Sequence, residues 1–191
     1  GIPGIEVFVG TTVTPENVGA LPALAAVLPA ALPGFDLRSW HVNLQQRSAH
    51  FFGNAAAAPL AADDARSALA FIEGQRGLPR DGFALAEWLF LRNLRRHLET
   101  GRAPVPCQAG RASVHVAADG VVYPCHVLDE PLGDLRAHGF DLPGLLGAAQ
   151  ARRAVLGLED CGRCWTPCEA YHALLASPVA ALRGALLRAR D

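Results

Sequence analysis

The sequence predicts an α/β protein: strand–helix–strand at the amino-terminal end, then two helices, then a small α+β cysteine-rich domain built on a β-hairpin. Three observations carry this. Short β-branched runs at 5–10 (IEVFVG) and 38–44 (RSWHVNL) flank an alanine- and leucine-rich stretch. An Asp119-Gly120 pair sits between two β-prone runs. All five cysteines fall after residue 106.

The first run has the pattern of a buried parallel strand. Thr14-Pro15-Glu16 suits a helix start, with Thr14 capping and Pro15 in the first turn. That helix is expected to continue to about residue 32, kinked or restarted at Pro22, with Pro33-Gly34 ending it. The second run is the next strand, so the unit reads as βαβ, which implies a crossover onto a parallel sheet. Residues 45–59 follow the carboxyl end of that strand, where α/β sheets place ligands. Helices are expected over 62–75 and over 84–100, with Asp81 near the second start and Gly101 as its stop.

Pro104-Val105-Pro106 marks the passage into the cysteine region. Strands are expected at 113–117 and 121–127, since Asp-Gly between β-prone runs is a hairpin signal. Asp141 opens a helix to about residue 156, another begins at Pro167, and Ser177-Pro178 caps a last amphipathic helix. The expected organisation is 1–103, then 104–176 as the cysteine-rich domain, then a terminal helix at 177–191.

Composition narrows the function classes. The net charge is -1 and all 17 basic residues are arginine, which does not make a general nucleic-acid surface. No segment reaches the ~20 apolar residues of a membrane helix, and no basic start followed by an apolar core marks a signal peptide. An odd number of cysteines with a tight CxxC favours a cytoplasmic metal site over a secreted disulfide framework. The chain has no methionine and opens on Gly1-Ile2-Pro3-Gly4; the expectation is a fragment of a longer protein.

Cys107-x12-Gly120-x4-Cys125 and Cys161-x2-Cys164-x3-Cys168 are the spacings of a thiolate site. A hairpin can bring Cys107 and Cys125 together, with Gly120 in the turn. Cys161 and Cys164 form a CxxC knuckle. Thr166-Pro167-Cys168-Glu169 matches a capping box, which puts Cys168 in a first helical turn, where free N–H groups favour a thiolate. Four ligands complete one 4Fe-4S cluster, so with five cysteines one thiol is spare or a second cluster relies on residues outside this chain. Structural zinc is the alternative, because CxxC pairs serve it equally well.

These residues resemble the carboxyl-terminal half of a radical S-adenosylmethionine (SAM) protein with a SPASM or twitch-type auxiliary-cluster domain. Cys107-x12-Gly120-x4-Cys125 fits that family's C-x(9–15)-G-x4-C element, and the run DGVVYPC from Asp119 to Cys125 is similar to its hairpin. Leu132-Gly133-Asp134-Leu135 resembles the step after it, and Cys161, Cys164 and Cys168 stand where the later cysteines belong. The resemblance implies that residues 1–60 are late βα units of a partial (β/α)6 barrel. It also implies one auxiliary 4Fe-4S cluster, with Cys107, Cys125 and Cys168 as ligands and Cys161 and Cys164 competing for the fourth place.

The family's C-x3-C-x2-C motif for the SAM-cleaving cluster is absent. The implied partner is therefore the amino-terminal half of the radical SAM domain, which would bring SAM and a second 4Fe-4S cluster; this chain alone should be inactive. The full later pattern, C-x2-C-x5-C-x3-C, is shortened here. A peptide or protein is the implied substrate class. The resemblance makes Asn43, Gln45, Gln46, Ser48 and His50 candidate SAM or substrate contacts, and His126, beside Cys125, is a candidate proton acceptor or substrate contact. The competing reading is a non-catalytic zinc-binding module that binds a partner.

Overall fold

Val9–Val13 (β1) and Trp40–Leu44 (β2) pair in parallel, Val9 opposite Trp40 and Val13 opposite Leu44, in a computed structural model that describes residues 8–158 and 160–186. The chain is mixed α/β, as the sequence predicts, with a two-stranded and a three-stranded sheet; the described strands close no barrel. The part of the first expected strand at residues 5–7 lies outside the described residues, and β1 runs on past Gly10.

The crossover helix differs from expectation at its start. Asn17, not Thr14, organises the turn: its Oδ1 accepts from Thr14 N at 2.8 Å and its amide donates to Thr12 O. A single 3-10 turn follows at Val18–Ala20, and the α-helix proper is Leu21–Ala31 (α1). Pro22 therefore sits in the first turn, where its missing N–H costs no hydrogen bond, rather than kinking a longer helix. Pro29 is the proline inside the helix.

On β2 burial alternates: Trp40, Val42 and Leu44 are buried while His41 and Asn43 occupy the other face. The expectation of 38–44 is shortened because Asp36 accepts from Arg38 N and turns residues 37–39 into a 3-10 segment. Helix Ala62–Gly74 (α2) and helix Gly82–Thr100 (α3) match their expected spans. Asp81 Oδ1 accepts from Ala84 N at 2.8 Å as the start of α3, and Gly101 leaves it at φ 65°.

The chain forms two compact units, 1–45 with 58–91, and 46–57 with 92–191. The division falls inside α3 rather than at residue 103, and the loop 46–57 belongs with the cysteines. The first unit packs Val13, Leu21, Trp40, Val42, Leu69, Ile72 and Phe90 as its buried apolar residues. It also buries Glu87, whose Oε1 pairs with His41 Nδ1 at 2.9 Å, while Arg76 Nη2 stands 3.3 Å from Oε2.

In the second unit the hairpin is short: His115–Val116 (β3) and Val121–Tyr123 (β4), antiparallel, with Gly120 at φ 91° in the turn. Pro124 has no N–H to continue the ladder, so the strand ends before Cys125 rather than at 127. A third strand, Gly133–Asp134 (β5), pairs with β4. The helix expected over 141–156 is two: Leu142–Gly147 (α4), capped by Asp141 through Gly144 N, and Ala149–Leu156 (α5). The break is at Ala148, whose backbone is extended. Val122, Leu132, Leu145 and Ala151 form one small core here. Pro167–Ala176 (α6) and Pro178–Leu186 (α7) complete the described chain; the last expected residues, 187–191, lie outside it.

Candidate metal centre

Residues 107–110 lie against the chain after β4 through one shared donor. Gly110 N–H is directed at Ser113 O (2.8 Å) and at Pro124 O (3.1 Å), and Ala109 bridges to Ser113. This brings Cys107 and Cys125 into one small cluster with Ala109, Leu128 and Cys161. The knuckle Cys161–Cys164 is set by close backbone approach. A Cβ on Gly162 would stand 2.8 Å from Gly101 O and 3.0 Å from Arg102 Cα, so glycine is the residue that fits.

Cys107, Cys125, Cys161 and Cys164 line one cavity in the second unit. Val105, Ala109, Leu128, Trp165 and Ala173 make apolar wall, and Glu169 is the carboxylate on the lining. All five cysteines are free thiols. Cys125 is buried and its Sγ faces two backbone donors, Val127 N and Leu128 N, each at 3.4 Å. Paired N–H donors of this kind favour a thiolate.

Burial pushes the Cys107 thiol up to about 11, with the charges of Cys161, Glu169 and Cys125 adding to the effect against a hydrogen bond from Ala109. Burial is also the leading cause of the upward shifts of Cys125 and Cys164, and in both neighbouring thiols and Glu169 push the same way. Four thiolates cannot share this apolar space uncompensated. Burial keeps the Cys107, Cys125 and Cys164 thiols protonated, and a cationic group bound among them would take the place of those protons. Among the described residues, no three His, Cys, Asp or Glu side chains already close on a single point as an ion-binding group.

Cys168 stands apart. It occupies the first turn of α6, but it is exposed and does not line the cavity. Partial burial, then the Glu169 charge, pushes its thiol up rather than down. The expected capping box does not form. Thr166 makes no side-chain cap, and Glu169, one residue on from Cys168, turns inward to accept from Ser113 Oγ at 2.8 Å. Of the expected ligands, the structure brings together Cys107, Cys125, Cys161 and Cys164 and leaves Cys168 outside.

His126 is half-buried, its Nδ1 3.6 Å from Glu169 Oε1, and its ring packs on Phe51 (centroids 4.2 Å) and His115 (5.2 Å). Burial, then the His50 charge, lowers its pKa, so the neutral ring is favoured. His50, which the resemblance groups with the loop contacts, is placed instead beside a candidate ligand. Nε2 lies 2.9 Å from Cys125 O, Nδ1 lies 2.7 Å from Asp129 Oδ1, and its ring stacks on Tyr123 at 4.0 Å.

Asn43 and Gln45 lie in the first unit and Ser48 in the second. Asn43 Oδ1 and Gln45 Oε1 are buried without a hydrogen-bond partner among the described residues. Ser48 is buried, and its Oγ accepts from Phe52 N at 3.2 Å, which is the work of a loop brace. No described helix is long and apolar enough to cross a membrane. No family model, curated protein or solved structure matches the chain.

Proposed function

We propose that the second unit carries one auxiliary 4Fe-4S cluster on Cys107, Cys125, Cys161 and Cys164, as part of a radical SAM enzyme that modifies a peptide or protein. One observation supports this most: four thiols from two distant cysteine groups line a single apolar cavity, and one of them already faces two backbone N–H donors. Bound there, such a cluster supplies one-electron chemistry.

The chain's own residues then have distinct tasks. The four cysteines hold the group, each giving up a proton to do so. Val127 and Leu128 N–H direct hydrogen bonds at Cys125 Sγ, and Trp165, Leu128 and Ala173 limit water. His50 holds the Cys125 backbone. In the proposed whole enzyme, β1, α1 and β2 serve as a late βα unit of the barrel, and the unpartnered oxygens of Asn43 and Gln45 accept from SAM or substrate. His126 contacts the substrate or takes a proton from it.

Anaerobic purification followed by iron, sulfide and zinc analysis tests the reading. About four iron and four sulfide per chain with a broad visible absorption are expected. A colourless protein with one zinc per chain and no sulfide would overturn it in favour of a structural zinc module.

A further inference from the structure

Glu169 is a buried carboxylate that the fold does not explain. It is 5% exposed, it lies in the first turn of α6, and it makes no reciprocal cap with Thr166. A buried carboxylate is costly unless well paired, and such a group in a cavity is a candidate for function. Its described partners are few. Ser113 Oγ donates to Oε2 at 2.8 Å, and His126 Nδ1 stands 3.6 Å from Oε1 without a hydrogen bond. Its carboxylate shares the cavity lining with all four thiols.

Resting on the cluster reading above, we infer that Glu169 tunes the reduction potential of the group held by Cys107, Cys125, Cys161 and Cys164. Its carboxylate is a fifth negative charge on an apolar wall. One-electron reduction adds a further negative charge to the same space. An anion held nearby in a poorly solvated site opposes that added charge, because the Coulomb term is weakly screened there. Net charge and exposure are among the levers that set iron–sulfur potentials. Burial raises the Glu169 pKa; the fixed Ser113 donor, then the His172 charge on the same helix, act against that and favour the charged form.

The test is a spectroscopic redox titration of the anaerobically purified chain and three variants, each first analysed for iron and sulfide. Glu169→Gln removes the charge and keeps the shape. Glu169→Leu removes it in a form suited to the apolar wall, and Glu169→Asp keeps it. The expected result is a midpoint potential shifted to more positive values in the Gln and Leu variants, with the Asp variant close to the parent. Equal potentials in all four iron-loaded proteins would overturn the inference while leaving the cluster reading intact. A parent chain without iron would overturn the cluster reading itself. Loss of iron from the Gln and Leu variants, with retention in the Asp variant, would replace tuning by direct metal binding through Glu169.

Discussion

His50 and Cys125 are joined by one hydrogen bond, from His50 Nε2 to the Cys125 carbonyl oxygen at 2.9 Å, across 75 positions of sequence. A carbonyl only accepts, so Nε2 carries a proton. Asp129 holds the other side of the ring and also accepts from the backbone N–H groups of Ala49 and His50. The loop 46–57 is thereby tied to the segment that presents a candidate ligand. The His50 side chain is 4% exposed, and its removal would leave the Cys125 carbonyl without this donor.

His50→Ala is expected to destabilise the folded chain by about 1–3 kcal/mol, the cost of leaving a buried polar group unpaired. Urea unfolding measures it. His50→Phe, which keeps the stacking on Tyr123 but not the hydrogen bonds, should fall between the two proteins. Identical midpoints for parent and His50→Ala would show that the tie carries no energy.

Asp129 gives this tie a pH dependence. The hydrogen bond from the His50 side chain is the leading cause that holds its carboxyl below the usual value of 3.8. A depressed folded-state pKa means stability that is present above 3.8 and lost as pH falls below it towards the folded value. The stability difference between the parent and Asp129→Asn should therefore shrink as pH is lowered through that region. A constant difference across acid titration of the two proteins would contradict the sign.

Gly162 separates Cys161 from the rest of the knuckle and faces backbone on its far side. Gly162→Ala would set a Cβ 2.8 Å from Gly101 O, and backbone cannot swing away as a side chain can. Overpacking of this kind costs about 1–3 kcal/mol. Thermal unfolding of the metal-free chain is expected to show that loss, together with weaker metal retention by the variant. Unchanged unfolding would mean that the 101–103 segment yields freely.

The buried charge of the first unit offers a separate check. Glu87→Ala would leave His41 and Arg76 without their shared carboxylate, and breaking a buried pair on one side costs about 3–5 kcal/mol. Denaturant unfolding should show this loss. A change below about 1 kcal/mol in that experiment would show that these ion pairs carry little net stability.

Much of the fold was legible because local signals agreed with the final packing. The periodicity of 62–75 and of 84–100, with Asp81 and Gly101 as punctuation, leads to α2 and α3 within two residues. Proline misled where its two roles compete: Pro22 reads as a kink if the helix starts at Thr14 and as a start residue once Asn17 closes the turn. The interruption at Ala148 has no breaker in the sequence, because Gly147-Ala148 is tolerated in a helix.

The candidate site was legible as a set of cysteines but not as an arrangement. Spacing placed Cys168 in a first helical turn, yet neighbouring positions on a helix face different directions, and it is Glu169 that turns to the cavity. The T-x-x-E spacing that suggests a cap instead carries a buried carboxylate on the cavity lining. His50 is legible from sequence only as a polar loop residue and candidate SAM or substrate contact; its tie to Cys125 and Asp129 is not, since those partners lie 75 and 79 positions away.

The most direct measurement is iron and sulfide content, with the visible absorption spectrum, of five anaerobically purified single variants: Cys107→Ala, Cys125→Ala, Cys161→Ala, Cys164→Ala and Cys168→Ala. Loss or collapse of the cluster signal is expected in the first four, and a parent-like spectrum in Cys168→Ala, whose thiol stands outside the cavity. Loss of iron in Cys168→Ala with full retention in Cys161→Ala or Cys164→Ala would contradict this expectation.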